Sequence, residues 1–317
     1  MCSPCSSRIR RDPSIVRSNR TSPISFRDQS PNMIEDIAMI FKNLDTKDFR
    51  TLTGIEIGMK FHEWVPLDEL PKFARLPIKE IQYRLFRLTK NDLVIRKTQP
   101  YEGYKIYFNG YDALAMNTLV KRKVINAIGN RIGVGKESVV YEAKCHNNPF
   151  VIKFHREGRT FKQVKRKRTH LKNKEHFSWI YAARLAAKRE YNALKTLYPK
   201  VSVPKPLNQN RHAVVMNLAC GSELSKTKVS DPDWFLEEII QQINIAYSLG
   251  IIHADLSEYN IFVNPDGIEI IDWPQYVTID QPHSKELLER DIENILTFFK
   301  RKYNIKKDLK KIVDYFT

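Results

Sequence analysis

No apolar run in this 317-residue chain approaches the ~18 residues that a membrane-crossing helix needs. The N-terminus has no apolar core segment of the kind that marks a secretory signal. Cysteine is scarce too: four are thinly scattered, which excludes a disulfide framework and fits a reducing, cytoplasmic setting. Cys2 and Cys5 make one C-x-x-C, but a zinc site would want a second pair nearby, and Cys145 and Cys220 stand alone inside other elements. Residues 1–32 lack lysine and nearly all apolar side chains while carrying six arginines. They read as a disordered basic tail, and Met33, where a more protein-like pattern opens, is an alternative start. Acidic residues are also in deficit, 36 against 53 basic ones, for a net charge of +17. That balance predicts attraction to a polyanion, with nucleic acid the first candidate.

What is present begins with a small helical pattern over residues 33–108. Ile34, Ile37, Ile40, Phe41 and Leu44 recur at helical spacing. Asp45 or Thr46 can cap a second helix, Pro66 to Asp68 can start a short third, and Pro77 suits the first position of a fourth carrying Ile81, Leu85 and Leu88. Two strands follow, Leu93–Arg96 and Tyr104–Phe108, around a Glu102-Gly103 turn. Helices followed by a two-stranded hairpin predict a winged helix-turn-helix. Its fourth helix is expected to offer Lys79, Gln82, Arg84, Arg87 and Lys90 outward for nucleic acid; a protein-docking domain with a solvated helix is the alternative. Residues 109–125 read as a connecting helix with Leu114, Leu119 and Val120 apolar.

The second domain, residues 126–317, opens on a glycine-rich turn. Gly133 and Gly135 let backbone amides approach phosphate oxygens, and Ser138 stands where a third glycine would complete G-x-G-x-x-G. Because Val139–Ala143 continues as strand rather than helix, the turn reads as a lid over a nucleotide and not as a dinucleotide-binding turn. In the strand Phe150–Phe154, Phe150, Ile152 and Phe154 face one way and Val151 and Lys153 the other. A lysine there needs an anionic partner. Glu190 supplies one, since it falls on the apolar stripe of a helix from Ser178 to Tyr198. Between them, residues 159–174 hold eight Lys or Arg and no acid, a loop suited to phosphate or RNA. The strand His212–Leu218, which carries Met216 and is ended by Ala219-Cys220-Gly221, reads as a connector where backbone groups of Asn217 and Ala219 can pair with adenine.

A long helix capped by Asp231 and ended by Gly250 then delivers Ile251-Ile252-His253-Ala254-Asp255-Leu256-Ser257-Glu258-Tyr259-Asn260. Ile261–Asn264 and Ile268–Ile271 flank a Pro265-Asp266-Gly267 turn, so the hairpin brings Asp272 back beside Asp255 and Asn260. Two carboxylates and an amide gathered this way suit the magnesium of a nucleoside triphosphate and the activation of a hydroxyl. The spacing matches the catalytic loop of kinases, H-x-D-L-x-x-x-N.

Together these stretches, with Val151–Thr160 and Ile271–Gln275, resemble the RIO-type atypical serine/threonine protein kinases. The winged helix ahead of the kinase domain points to the type 2 branch, and the loop His-Ala-Asp-Leu and the short C-terminal end look more archaeal than eukaryotic. The fold class implied is α+β: a winged helix-turn-helix domain, then a compact two-lobed kinase-like domain. The resemblance implies ATP and Mg2+ as cofactors and assigns Asp255 as base, with Asn260 and Asp272 as metal ligands. It gives Lys153 the α- and β-phosphates, Glu190 the orienting of Lys153, and Lys136 and Ser138 the seating of the triphosphate. It also implies action on the precursor of the small ribosomal subunit and its RNA, and an Asp272 able to accept the γ-phosphoryl group; a monomer is expected. Three positions depart from the family pattern: Thr160 runs directly into Phe161, Asn217 replaces a usual Glu, and Trp273 replaces a usual Phe. Only 45 residues follow Asp272, too few for an activation loop plus a peptide-binding subdomain, so autophosphorylation and ATP hydrolysis are favoured over broad peptide phosphorylation. The competing expectation is a nucleic-acid binder whose kinase-like domain senses nucleotide without turnover; the complete set Lys153, Asp255, Asn260 and Asp272 argues against it.

Overall fold

The computed structural model describes residues 39–316 apart from 136, 146–147 and 157–178. The expected basic tail, the Ser178 cap, the basic run and Lys136 lie outside the described residues. Helix α1 (Thr46–Gly58) starts at an Asp45 capping box: the Asp45 side chain accepts from the N–H groups of Lys47 and Asp48, and Asp48 accepts from the Asp45 N–H in return. The expected third helix begins later than Pro66. Val65–Pro66 is instead strand β1, and the short helix α2 spans Leu70–Ala74 with Pro71 in its first turn. Helix α3 (Ile78–Lys90) follows, with Pro77 at its cap, then β2 (Val94–Lys97) and β3 (Gly103–Ile106). The three strands form an antiparallel sheet in the order β1-β3-β2. Helices capped by a small sheet make the winged helix.

The outer face of α3 differs from the sequence reading. Arg84 is buried and pairs with Glu80 at 2.7 Å, with Asp48 at 3.3 Å and with Asp45. Arg87 pairs with Asp48 at 3.4 Å and donates to the Asn43 carbonyl. Asp45 and Asp48, set by the capping box, draw both guanidinium groups inward. Lys79, Gln82 and Lys90 remain outside, together with Tyr83 and Phe86, which are 56% and 69% exposed.

The connecting helix α4 (Phe108–Lys121) is buried along most of its length, from Asn109 through Met116 and again at Leu119. A spacer would show one wet face; α4 instead touches apolar partners on both sides. One cluster of buried side chains runs from Leu52, Ile81 and Leu88 through Tyr111 and Leu114 into Tyr141, Ile152, Phe154 and Val215 of the following sheet. That sheet holds β4 (Ala127–Val134), β5 (Ser138–Cys145), β6 (Asn148–His155), β7 (Pro206–Asn210) and β8 (Ala213–Met216), ordered β4-β5-β6-β8-β7 and antiparallel throughout. Strand alternation divides its faces: Ile152 and Phe154 join the winged-helix cluster, whereas Val151 and Met216 join a second core.

The second core is built from helix α5 (Trp179–Leu197), β9 (Ser222–Glu223), α6 (Pro232–Ser248), β10 (Ile251–Ile252), the hairpin β11 (Ile261–Asn264) and β12 (Gly267–Ile270), β13 (Val277–Thr278), and α7 (Ser284–Tyr303) with α8 (Leu309–Phe316). The expected Asp231 cap and Pro232 start hold, and the expected hairpin forms, but Gly267 belongs to its return strand and not to the turn: Ile261 pairs with Ile270 and Asn264 with Gly267, which leaves a two-residue Pro265-Asp266 turn. The segment after Asp272 folds as two helices rather than one, packed on α6 as a floor.

Candidate active site

Lys153 on β6 and Glu190 on α5 meet under the sheet. Lys153 Nζ lies 2.6 Å from Glu190 Oε1 and 2.6 Å from Asp272 Oδ1. Lys153 and Glu190 are buried, whereas the Asp272 side chain is 41% exposed, so the cluster has one open end. Burial by itself would discharge the lysine, but Asp272 and Glu190 outweigh it and raise its pKa. Burial would likewise raise Glu190; the charges and hydrogen bonds of Lys153 and His155 reverse that and hold it at about 2. His155, two residues along the same strand, sets Nε2 2.7 Å from Glu190 Oε2.

Asp255 is exposed on the loop after β10. Asn260, at the end of a 3-10 turn (Glu258–Asn260), donates its side-chain amide to the Asp255 carbonyl at 2.9 Å, which leaves its amide oxygen as the atom to face a cation. The Ile271 N–H donates to the Asn260 carbonyl at 2.9 Å, and His253 Nε2 pairs with the Ile271 carbonyl at 3.0 Å. These two bonds clamp the loop to the segment that carries Asp272. Ala254 and Asp272 both take left-handed backbone, φ 64° and 68°, a conformation costly for non-glycine residues unless the surroundings impose it. For Ala254 the surroundings are Asp291 of α7, whose carboxylate accepts from the N–H groups of Ala254 and Leu256 at 2.6 and 3.0 Å, and Arg290, which donates to the Ala254 carbonyl. Trp273 is buried at 2% exposure, donates to the Ile270 carbonyl and packs on the His253 ring. It therefore supports the loop from below.

Gly133 and Gly135 lie at the β4–β5 turn, where the Gly135 N–H donates to the Ser138 carbonyl at 2.9 Å. A Cβ at Gly133 would meet nothing closer than Val140 at 3.6 Å, so packing does not demand the glycine; bare backbone there is open to a ligand. By contrast, Gly221 is dictated by the fold: its φ is 102° and a Cβ would fall 2.1 Å from the Val263 carbonyl oxygen. Met216 is buried opposite Val151 at the end of β8. Beyond it the Asn217 N–H donates to the Lys205 carbonyl, while Ala219 is half-buried on the connector. Among the described residues no three His, Cys, Asp or Glu side chains gather to hold a metal alone. Asn260 and Asp272 are a donor pair that suits magnesium, which keeps waters and takes substrate phosphates as its remaining ligands.

His155, Asp291, Arg290 and the buried group Asp112, Arg156 and His212 were not singled out from the sequence. Arg156 follows His155 and makes a two-pronged pair with Asp112 of α4, both contacts 2.6 Å; His212 Nε2 lies 2.7 Å from Asp112 Oδ1. The visible signal was three ionisable residues, Lys153, His155 and Arg156, crowded into an apolar strand.

Comparison with known proteins gives the family. The RIO domain matches residues 139–312, and the N-terminal domain of Rio2 matches residues 41–122. The chain belongs to the RIO-type serine/threonine-protein kinases, in their Rio2 branch. It is 44% identical over 276 residues to the RIO-type serine/threonine-protein kinase Rio2 of Methanocaldococcus jannaschii, covering 82% of this chain and all of that one. With the serine/threonine-protein kinase RIO2 of Caenorhabditis elegans the identity is 38% over 271 residues, covering 84% of this chain and 51% of the relative. The crystal structure of the Chaetomium thermophilum Rio2 kinase-ADP/Mg2+-phosphoaspartate complex superposes with a TM-score of 0.76 at 33% identity, covering 87% of this chain and 88% of that one.

Proposed function

We propose that this chain is an ATP- and Mg2+-dependent phosphoryl-transfer enzyme, an atypical serine/threonine kinase and ATPase whose turnover serves maturation of the small ribosomal subunit in the cytoplasm. The observation that carries the reading is Lys153 held between Glu190 and Asp272. A cation clasped by two carboxylates at the open end of a cleft is poised to exchange one of them for a triphosphate. On nucleotide entry Lys153 keeps Glu190 and turns from Asp272 to the α- and β-phosphate oxygens. Gly133, Gly135, Lys136 and Ser138 cover the phosphates, and the connector takes the adenine through the Asn217 carbonyl and the backbone of Ala219, beside Met216. Asn260 and the released Asp272 would hold magnesium, which would supply positive charge to offset that of the phosphates.

Two acceptors are open to the γ-phosphoryl group. For a hydroxyl of serine or threonine, Asp255 takes the proton as the oxygen bonds to phosphorus and ADP leaves. Alternatively an Asp272 oxygen bonds to the γ-phosphorus while the bridging P–O bond to ADP breaks; Asp255 then takes a proton from the water that cleaves the acyl phosphate. The phosphoaspartate of the Chaetomium thermophilum complex supports the second route. The partner proposed is the small-subunit precursor and its RNA, on the strength of the +17 charge and of Lys79, Gln82 and Lys90 exposed on α3.

The test is to incubate the protein with γ-labelled ATP, quench it, and treat it with hydroxylamine, which cleaves acyl phosphates and spares phosphoserine. Label released by hydroxylamine and mapped to Asp272 is expected. Label that all survives would remove the aspartyl-phosphate route, and absence of ATP turnover with and without small-subunit particles would remove the enzymatic reading. Neutralising Lys165, Arg166, Lys167 and Arg168 together should flatten the salt dependence of RNA binding.

A further inference from the structure

Glu190 is held from two sides, and only one of its partners belongs to the phosphate machinery. Lys153 takes Oε1 at 2.6 Å; His155 Nε2 lies on Oε2 at 2.7 Å. Both come from β6 two residues apart, so strand alternation aims them at the same carboxylate. His155 is 1% exposed, and Ser138 of the nucleotide-covering turn stands opposite it across the β5–β6 ladder. With Oε1 on the lysine, the second oxygen of a buried carboxylate needs a donor, and the imidazole N–H supplies it.

We infer that His155 is a positioning residue for phosphoryl transfer: it fixes the Glu190 carboxylate so that Lys153 stays on Glu190 when Asp272 turns to the metal. The inference rests on the function proposed above. Lys153 is shared between Glu190 and Asp272, so its place depends on how firmly each carboxylate is held. Asp272 is partly exposed and must move off the lysine; Glu190 must not. A Glu190 fixed only by Lys153 would be free to rotate about its side chain and leave the lysine to Asp272. Anchoring Oε2 from the strand that carries Lys153 makes the pair a rigid unit. A cavity-filling role for the ring would ask only for volume; the positioning role asks for a donor at Nε2.

The experiment compares His155→Leu, which fills the space without a donor, with His155→Gln, which keeps an N–H able to reach Oε2. ATP turnover, Mg-ATP affinity and thermal unfolding are measured on the full chain. Turnover in the Leu variant is expected to fall roughly tenfold to a hundredfold, as misplacement of a phosphate-binding group does. The Gln variant should recover most of it, even where Leu unfolds at the higher temperature. Wild-type turnover in the Leu variant, or a Gln variant no better than Leu, overturns the inference. Should the Leu variant not fold, the Gln variant decides alone, because a folded Gln chain with turnover lost excludes the donor role and one with turnover kept supports it. A crystal structure of the nucleotide-free Leu variant gives a readout independent of activity. Lys153 is expected on Asp272 alone; an unchanged Lys153–Glu190 contact overturns the inference even if the wild-type chain proves to have no turnover, the result that would instead remove the function itself.

Discussion

Strand β6 ends in two charged clusters that share a neighbourhood and differ in one respect. Lys153, Glu190, His155 and Asp272 form the first; Asp112, Arg156 and His212 form the second. The first opens to solvent at Asp272, whereas every member of the second is at most 7% exposed in its side chain. Both neutralise buried charge with complementary charge, but only the open one can trade a partner for a ligand. The closed one joins α4 to the end of β6 and to the residue before β8. Its Arg156–Asp112 pair has no partner to release, so its work is to hold the winged helix and the nucleotide-binding sheet in register. Composition alone does not separate a site from a fastener; access to an exchangeable ligand does.

The sharpest way to break the contrast is Asp112→Ala. It strands Arg156 in the interior and should destabilise the protein by about 3–5 kcal/mol, read as a lower denaturant midpoint. Lys153→Ala is the matching change in the open cluster. It should lower ATP turnover by about 10²–10³-fold, and lower the denaturant midpoint less than Asp112→Ala does. If the two variants lose stability equally, the distinction between open and closed clusters fails.

A pH series sharpens it further. Burial, against the opposing pull of Asp112, sets the His212 pKa at about 4, below its ordinary value near 6.5, so the fold favours the neutral ring. The unfolded chain therefore takes up this proton first as pH drops. The stabilisation is complete above pH 6.5 and is lost on the way to pH 4; Glu190 adds a loss of the same sign between 4.5 and 2. Unfolding at pH 7 and pH 5 should differ by up to about 2 kcal/mol from this ring. His212→Phe should flatten that interval, and an unflattened interval would show the ring is not its source. The smallest effect expected is from Glu56→Gln. Glu56 of α1 takes the Arg211 guanidinium through two contacts at 2.7 and 3.0 Å near the surface, and its loss should cost roughly 1 kcal/mol with turnover unchanged.

Much of the open cluster was legible because its parts obey local rules. Alternation aimed Lys153 inward, a helical stripe carried Glu190, and a turn signal closed the hairpin under Asp272. The closed cluster was not, because Asp112, Arg156 and His212 are separated by 44 and 56 residues along the chain and each alone looks like an ordinary polar residue. The inward turn of Arg84 and Arg87 is hidden in the sequence for a related reason. Helical spacing places them near the outer face of α3, but the Asp45–Asp48 cap, some forty residues earlier, draws them in. The winged helix could be read from element order, whereas the burial of α4 on both sides could not, since periodicity reports one apolar face and says nothing of a second partner.

That doubly covered helix bears on how such a chain could be cut or recombined. A kinase fragment starting after α4 would keep its fold instructions yet lay bare Tyr141, Ile152, Phe154 and Val215 as one contiguous greasy strip. A winged-helix fragment ending before α4 would lose Tyr111, Leu114 and Leu119 from its own interior. Neither half is a cassette that could be transplanted by splicing at the connector; the seam visible in the sequence is the thickest part of the wall.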